Sequence, residues 1–332
     1  MRYLLLLFLF VASGYANPMW YHNVQKTKAN SYVGYGSGAD EAKAKQEAFN
    51  DITSQISVNV NTSFSQKQKM KDGKFKSIEE FSSSQKSNAT LYDYKLLKSE
   101  FYDGKYFVAL QYENIPSVDK FINKIKKSNI KLKNEKQNSY LKNTPMAKKL
   151  RKALSKDIAF SLVRKDANWF VKYKNILQIL DKKDFAKFFS TVDNKLMSIN
   201  TNKRKNILYN EDKFFFKVKS AKEAYASILT VYENGTVSIL VRNVPLRKGK
   251  LENIPDKDFE TIPEAGLMQR GIETYDLYVL LLSSKKIHLD SFAQADEELI
   301  EEEKYKNFDE LIEFIDTEEY ATIKVVTKPR IY

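Results

Sequence analysis

Few residues in this 332-residue chain have the types and spacing that chemistry needs. Gly34, Gly36 and Gly38 alternate just before a helix that Asp40 is expected to cap. Such a stretch offers backbone amides and a helix N-terminus to phosphate. Here Asp40 and Glu41 put negative charge where the anion would sit, and no Lys-Ser or Lys-Thr pair follows. The glycines are therefore expected to serve packing at a turn, not nucleotide binding. Only two histidines, His22 and His288, and no cysteine occur. A zinc site would need both, plus carboxylates from distant parts of the chain. A Ser-His-acid arrangement would need one of the same two, and no Gly-x-Ser-x-Gly elbow accompanies either. Glu297, Glu298, Glu301, Glu302 and Glu303 cluster, but with helical spacing and without the turn residues and glycine of a calcium loop. Nothing singles out a carboxylate pair for glycoside cleavage. These residues predict no catalytic residue, no cofactor and no metal site, hence a non-enzymatic chain, with an enzyme acting on envelope glycans as a weaker alternative. What remains is surface chemistry. Trp20 and Tyr21, with Tyr32 and Tyr35, are candidate interface anchors, since Trp and Tyr are enriched at interfaces; the competing expectation is that they cover the first domain.

The first sixteen residues are expected to be a secretory signal: Arg2, an unbroken apolar run from Leu4 to Ala12, then Gly14-Tyr15-Ala16 with small residues at −3 and −1. Cleavage is expected after Ala16, leaving Asn17 as the mature start. That apolar run is too short to cross roughly 30 Å of hydrocarbon, which takes about twenty residues, and no later segment is expected to span. The lack of cysteine removes a disulfide framework and an acylated N-terminal cysteine. The expected location is the periplasm.

The net charge of +13 is unevenly spread: residues 117–210 hold 24 basic and 7 acidic residues, whereas 211–332 is acidic overall. Behind a signal peptide, this basic balance points to anionic cell-wall or lipid groups, or to the chain's own acidic end, and not to nucleic acid.

The expected architecture is α+β in three units after the signal (1–16). Residues 17–116 are expected to form a small α+β domain. In it Ser31 to Gly38 is expected to be a strand running into a glycine-rich turn, followed by a helix with Ala44, Ala48, Phe49, Ile52 and Ile56 on one face. An alternating strand over Ile56–Phe64 follows, and then a hairpin of Leu91–Tyr102 and Lys105–Tyr112 about Asp103-Gly104. Residues 117–210, lysine-rich and glycine-free, are expected to form a helical basic connector, with helical spacing in Leu162, Trp169, Val171, Tyr173, Ile176, Leu177 and Leu180. Residues 211–332 predict a β-rich domain. Its strands are Phe214–Lys219, a hairpin about Asn234-Gly235, Tyr275–Leu282 and a final Tyr320–Thr327. Before the last strand comes an acidic amphipathic helix carrying Phe308, Leu311, Ile312 and Ile315.

Gly34-Tyr35-Gly36, the alanine-rich helix Ala42–Ile52, Ile56–Phe64 and Tyr106-Phe107-Val108-Ala109 resemble the LPP20 family of envelope proteins. Ala224-Tyr225, the run Asn234–Leu240, Asn243 and Gly271-Ile272-Glu273 resemble the uncharacterised-function domain 4384. The first resemblance implies a Gram-negative envelope protein that packs against itself or other envelope proteins, in outer-membrane or flagellar accessory structures. Lipidation by the family's cysteine is not open to this chain.

Overall fold

The computed structural model describes residues 17–25, 30–68, 94–165, 168–255, 262–294 and 307–330. The chain divides into two units, 1–115 and 116–332. The expected signal, cleavage point Ala16 included, lies outside the described residues, as do Glu297, Glu298, Glu301, Glu302 and Glu303.

In the first unit, β1 (Ser31–Gly38) is followed by α1 (Glu41–Gln68), β2 (Tyr94–Tyr102) and β3 (Lys105–Glu113). The three strands form an antiparallel sheet in the order β1-β3-β2. Asp40 caps the helix, its Oδ1 accepting from Lys43 N–H at 2.8 Å. Ala44, Ala48 and Ile52 on α1 and Val108 and Leu110 on β3 are fully buried between helix and sheet. The glycines are what lets the helix come so close. A Cβ on Gly34 would stand 2.1 Å from Ala48 O, and one on Gly36 2.1 Å from Ala44 O. They act within a strand, and this corrects the expected glycine turn. Asp103 and Gly104, with φ of 46° and 77°, make the expected hairpin turn.

The strand expected over Ile56–Phe64 does not form, because α1 continues through it to Gln68. A nucleated helix gains a hydrogen bond with each added residue, whereas a strand needs a partner. Polar–apolar alternation alone does not supply one.

In the second unit, the expected helical connector is corrected element by element. Residues 117–210 begin with two helices, α2 (Ser117–Lys127) and α3 (Pro145–Leu154), the latter capped by Thr144 with Pro145 in its first position. The residues from Leu162 to Leu180 then form strands: β4 (Ser161–Lys165), β5 (Asn168–Tyr173) and β6 (Ile176–Ile179), an antiparallel meander. Leu162, Trp169, Val171 and Tyr173 are buried on it with period two, a spacing that a short helical count also accommodates. A short α4 (Lys182–Phe185), β7 (Met197–Thr201) and β8 (Ile207–Tyr209) follow.

The remaining elements match the expected β-rich end: β9 (Phe216–Ser220), β10 (Ala224–Val231), β11 (Val237–Leu246), β12 (Leu251–Ile254), β13 (Thr274–Ser283), β14 (Ala293–Gln294), α5 (Phe308–Ile315) and β15 (Glu319–Lys328). A six-stranded sheet runs β14-β11-β10-β13-β15-β8, and a second runs β12-β9-β7. The last strand pairs antiparallel with β13 and parallel with β8, so it is internal to the sheet.

Both faces of β10 and β13 are buried. Leu229, Val231, Leu277, Val279 and Leu281 belong to a core shared with α2, α3, the meander and α5; Ala226, Ile228, Leu280 and Leu282 belong to one shared with β7 and β9. That two-sided burial explains the nearly unbroken apolar run of β13. Trp169 ties the meander to the sheet. Its Nε1–H donates to Asn234 O at 2.8 Å, its ring stacks on Phe185 at 4.9 Å, and a Cβ on Gly235 would lie 2.2 Å from it.

The acidic helix α5 docks within the same unit, mainly through apolar contact. Phe308, Leu311, Ile312 and Ile315 are buried beside Tyr140, Phe185 and Phe189. Charge enters at the margin: Asp316 accepts from Ser139 N–H at 2.8 Å, and that serine, with Lys136 and Lys142, holds its carboxyl below the usual range.

Candidate interaction surface

The four aromatic residues singled out by sequence all fall in the first unit, on two faces of its sheet. Tyr32 aligns with the glycines of β1 and packs with the helix-side core. The other three lie on the opposite face, where residues 17–25 fold back over the strands. Tyr21 N–H donates to Pro18 O and Asn23 N–H to Trp20 O, closing a turn. Tyr21 then stands edge-on to Phe107 at 5.0 Å and to Tyr35 at 5.6 Å. His22, at φ 67°, lies edge-on to Tyr21 at 4.3 Å and tilted against Tyr35 at 4.8 Å. The Tyr35 hydroxyl donates to Val24 O and accepts from Val24 N–H, at 3.0 and 2.9 Å. Burial raises the pKa of Tyr21 and Tyr35, only partly opposed by hydrogen bonds from Ser37 and Val24. These residues form the second cover of the sheet.

Trp20 is half-buried at the rim of that cover. Its Nε1–H donates to Glu100 Oε2 at 2.5 Å, and Lys98 Nζ lies 5.0 Å from its ring, so it sits over the charged residues of β2.

The two edges of this sheet differ. Along β1, α1 supplies the missing partners: Tyr35 N–H donates to Asp51 Oδ2 at 2.9 Å, Ser37 N–H to Glu47 Oε2 at 3.0 Å, and Gln55 Nε2 donates to Val33 O at 2.9 Å. Along β2 no residue is fully buried, and Tyr94, Leu96, Phe101 and Tyr102 are 41%, 42%, 60% and 40% exposed. One strand thus carries four of the large apolar residues left in solvent. Sequence reasoning missed this stripe. The hairpin turn was legible, but nothing local says which of its strands becomes an edge.

Residues 18–113 match the LPP20 lipoprotein family. The matched span covers this LPP20-like unit from the N-terminal cover to the end of β3, and it leaves the second unit unmatched. Comparison with curated proteins and with solved structures finds no match.

Outside the LPP20-like unit, His288 is exposed and 3.8 Å from Asp290, in the second unit, while His22 belongs to the first. Among the described residues no group of three or more His, Asp or Glu side chains is placed to hold a metal, and no helix is long and apolar enough to cross a membrane.

The buried acids Asp184, Glu233 and Asp276 of the second unit were not anticipated. Asp184 accepts from Ser117 Oγ at 2.6 Å and Val118 N–H at 2.9 Å, and pairs with Lys187. Burial pulls its pKa up, but Lys187, Ser117 and Val118 together outweigh it and hold it below the usual range. Asp276, on β13, is only 8% exposed; desolvation, with Glu233 adding repulsion, pushes it up to about 7.

Proposed function

We propose that the chain is an exported envelope protein that works by assembling with copies of itself or with other envelope proteins, without catalysing a reaction. One observation carries this. The match to the LPP20 lipoprotein family opens at Pro18, one residue past the expected mature start Asn17, and runs through the whole folded first unit. A domain of that kind, placed directly behind an export signal, works through its surface, and this one has an apolar stripe on β2. An outer-membrane or flagellar accessory structure is the setting that the resemblance of the first unit favours. Without a cysteine to acylate, attachment to a membrane would come through a partner.

The test is fractionation of cells making a C-terminally tagged chain, with N-terminal sequencing and in-cell crosslinking. The expected product begins at Asn17, is released from the periplasm, and crosslinks to itself or to other envelope proteins. A cytosolic product still carrying Met1 overturns the proposal.

A second reading, binding to anionic cell-wall or lipopolysaccharide groups, is favoured by the start of the second unit. Lys126, Lys127, Lys131, Lys148, Lys152 and Lys156 are exposed there, and Asp119, Glu135 and Asp157 are the acids between 117 and 160. Pelleting of the purified protein with isolated cell wall, abolished by 0.5 M salt, is the outcome it requires.

A further inference from the structure

The exposed stripe on β2 sits beside a backbone edge with no partner among the described residues. The phase of that edge follows from the other side of the sheet. Tyr35 turns its N–H away from β3 to reach Asp51, so its cross-strand partner Ala109 turns its own groups toward β2. Lys98, opposite Ala109, faces back into the sheet. Ser99 and Phe101 then alternate, one directly and one two residues on, to leave their N–H and C=O groups on the open side.

We infer that β2 pairs antiparallel with β2 of a second copy, centred on Ser99. The inference rests on the assembly reading above and names its surface. Three observations support it. The open backbone groups of Ser99 match those of Ser99 in the second copy, which an antiparallel pair with a twofold axis requires. In that register Lys98 of each copy lies opposite Glu100 of the other, so the charges of the strand are self-complementary. Phe101 falls beside Leu97 of the second copy, at the bulge where the register with β3 shifts between Leu96 and Lys98. The product is a continuous sheet in the order β1-β3-β2-β2-β3-β1. Its two outer edges are the β1 strands already sealed by Glu47, Asp51 and Gln55, so this pairing stops at two copies and does not propagate.

A chain without cysteine makes the test direct. Opposed residues of a hydrogen-bonded antiparallel pair have Cα atoms about 5.5 Å apart, inside the disulfide range of roughly 4.4–6.8 Å. In the full-length mature protein, Ser99→Cys should give a disulfide-linked dimer under mild oxidation, at least roughly tenfold faster than Lys43→Cys on the exposed start of α1. Sedimentation equilibrium of the unaltered protein at about 100 μM, well above a micromolar Kd, should show a dimer. Phe101→Lys should weaken that dimer by at least roughly tenfold with an unchanged circular dichroism spectrum. A monomer at that concentration overturns the β2 pairing, as does a dimer that Phe101→Lys leaves intact or that crosslinks no faster at Ser99 than at Lys43. Crosslinks to other envelope proteins in cells would then still uphold the assembly reading, with a different strand or surface as its means.

Discussion

Asp184 and Asp276 are acids of one unit, both nearly inaccessible, yet their surroundings move them in opposite directions. Asp184 has a lysine, a hydroxyl and a backbone amide, so its charged form is favoured once folded. Asp276 has burial and the neighbouring Glu233, so its neutral form is favoured. The linkage follows from these directions. Asp184 contributes stability above the unfolded carboxyl pKa and loses it as pH falls through the folded value. Asp276, raised to about 7 against roughly 3.9 unfolded, contributes stability below about pH 4 and loses it as pH climbs through 7. The gap corresponds to roughly 4 kcal/mol at full ionisation. Asp276→Asn is therefore expected to raise the urea midpoint at pH 8 and to change it little at pH 4. A variant no more stable than the parent at pH 8 would show that folding does not raise the Asp276 pKa. One sign of this site was present in the sequence: Asp276 shares the parity of Tyr278, Leu280 and Leu282 along an apolar strand. The role of Asp184 had no such sign, because the α2 residues it caps, Ser117 and Val118, lie 67 and 66 residues away.

At the scale of elements, α2 and α1 depend on contacts made across the fold. Pro116 precedes α2 without a side-chain cap, and Asp184 fills that place from α4. Asp184→Ala removes this cap and leaves Lys187 without its buried partner; a loss of about 2 kcal/mol in urea unfolding is expected. Gly36→Ala forces a methyl group into Ala44 O, which is backbone and cannot turn aside. It should destabilise the first unit by about 3 kcal/mol, the upper range for overpacking, whereas Gly104→Ala, at a turn with open space, should cost about 1 kcal/mol through its positive φ alone. Turns and caps of this kind were legible: Asp103-Gly104, Asn234-Gly235, the Asp40 cap and the buried stripe of α5 all stand where the residues predict. Period was less reliable. Ile56–Phe64 alternates but is helical, and Leu162–Leu180 carries apolar residues at spacings that both a helix and a meander can hold.

For the whole molecule, the division at residue 115 and the separation of the first unit's core from those of the second predict two unfolding transitions in calorimetry. Gly36→Ala should lower one and Asp184→Ala the other; a single transition that both variants shift equally would show the units to be thermodynamically one. Salt should matter little to the docking of α5, since Phe308, Leu311, Ile312 and Ile315 are buried and the Asp316 charges are peripheral. Composition and local pattern determined that this chain builds mixed α+β structure, where it turns, and where its final strand lies. Those features depend on residues adjacent in sequence: a positive φ, a cap, a run of side chains on one face. Only the tertiary structure decided that 117–210 packs into the cores of the second unit, that the glycines of β1 seat a helix, and that α1 seals β1 while β2 has no second strand partner among the described residues. Each of these depends on which distant backbone and side chains arrive at a surface, and spacing along the chain does not encode that arrival.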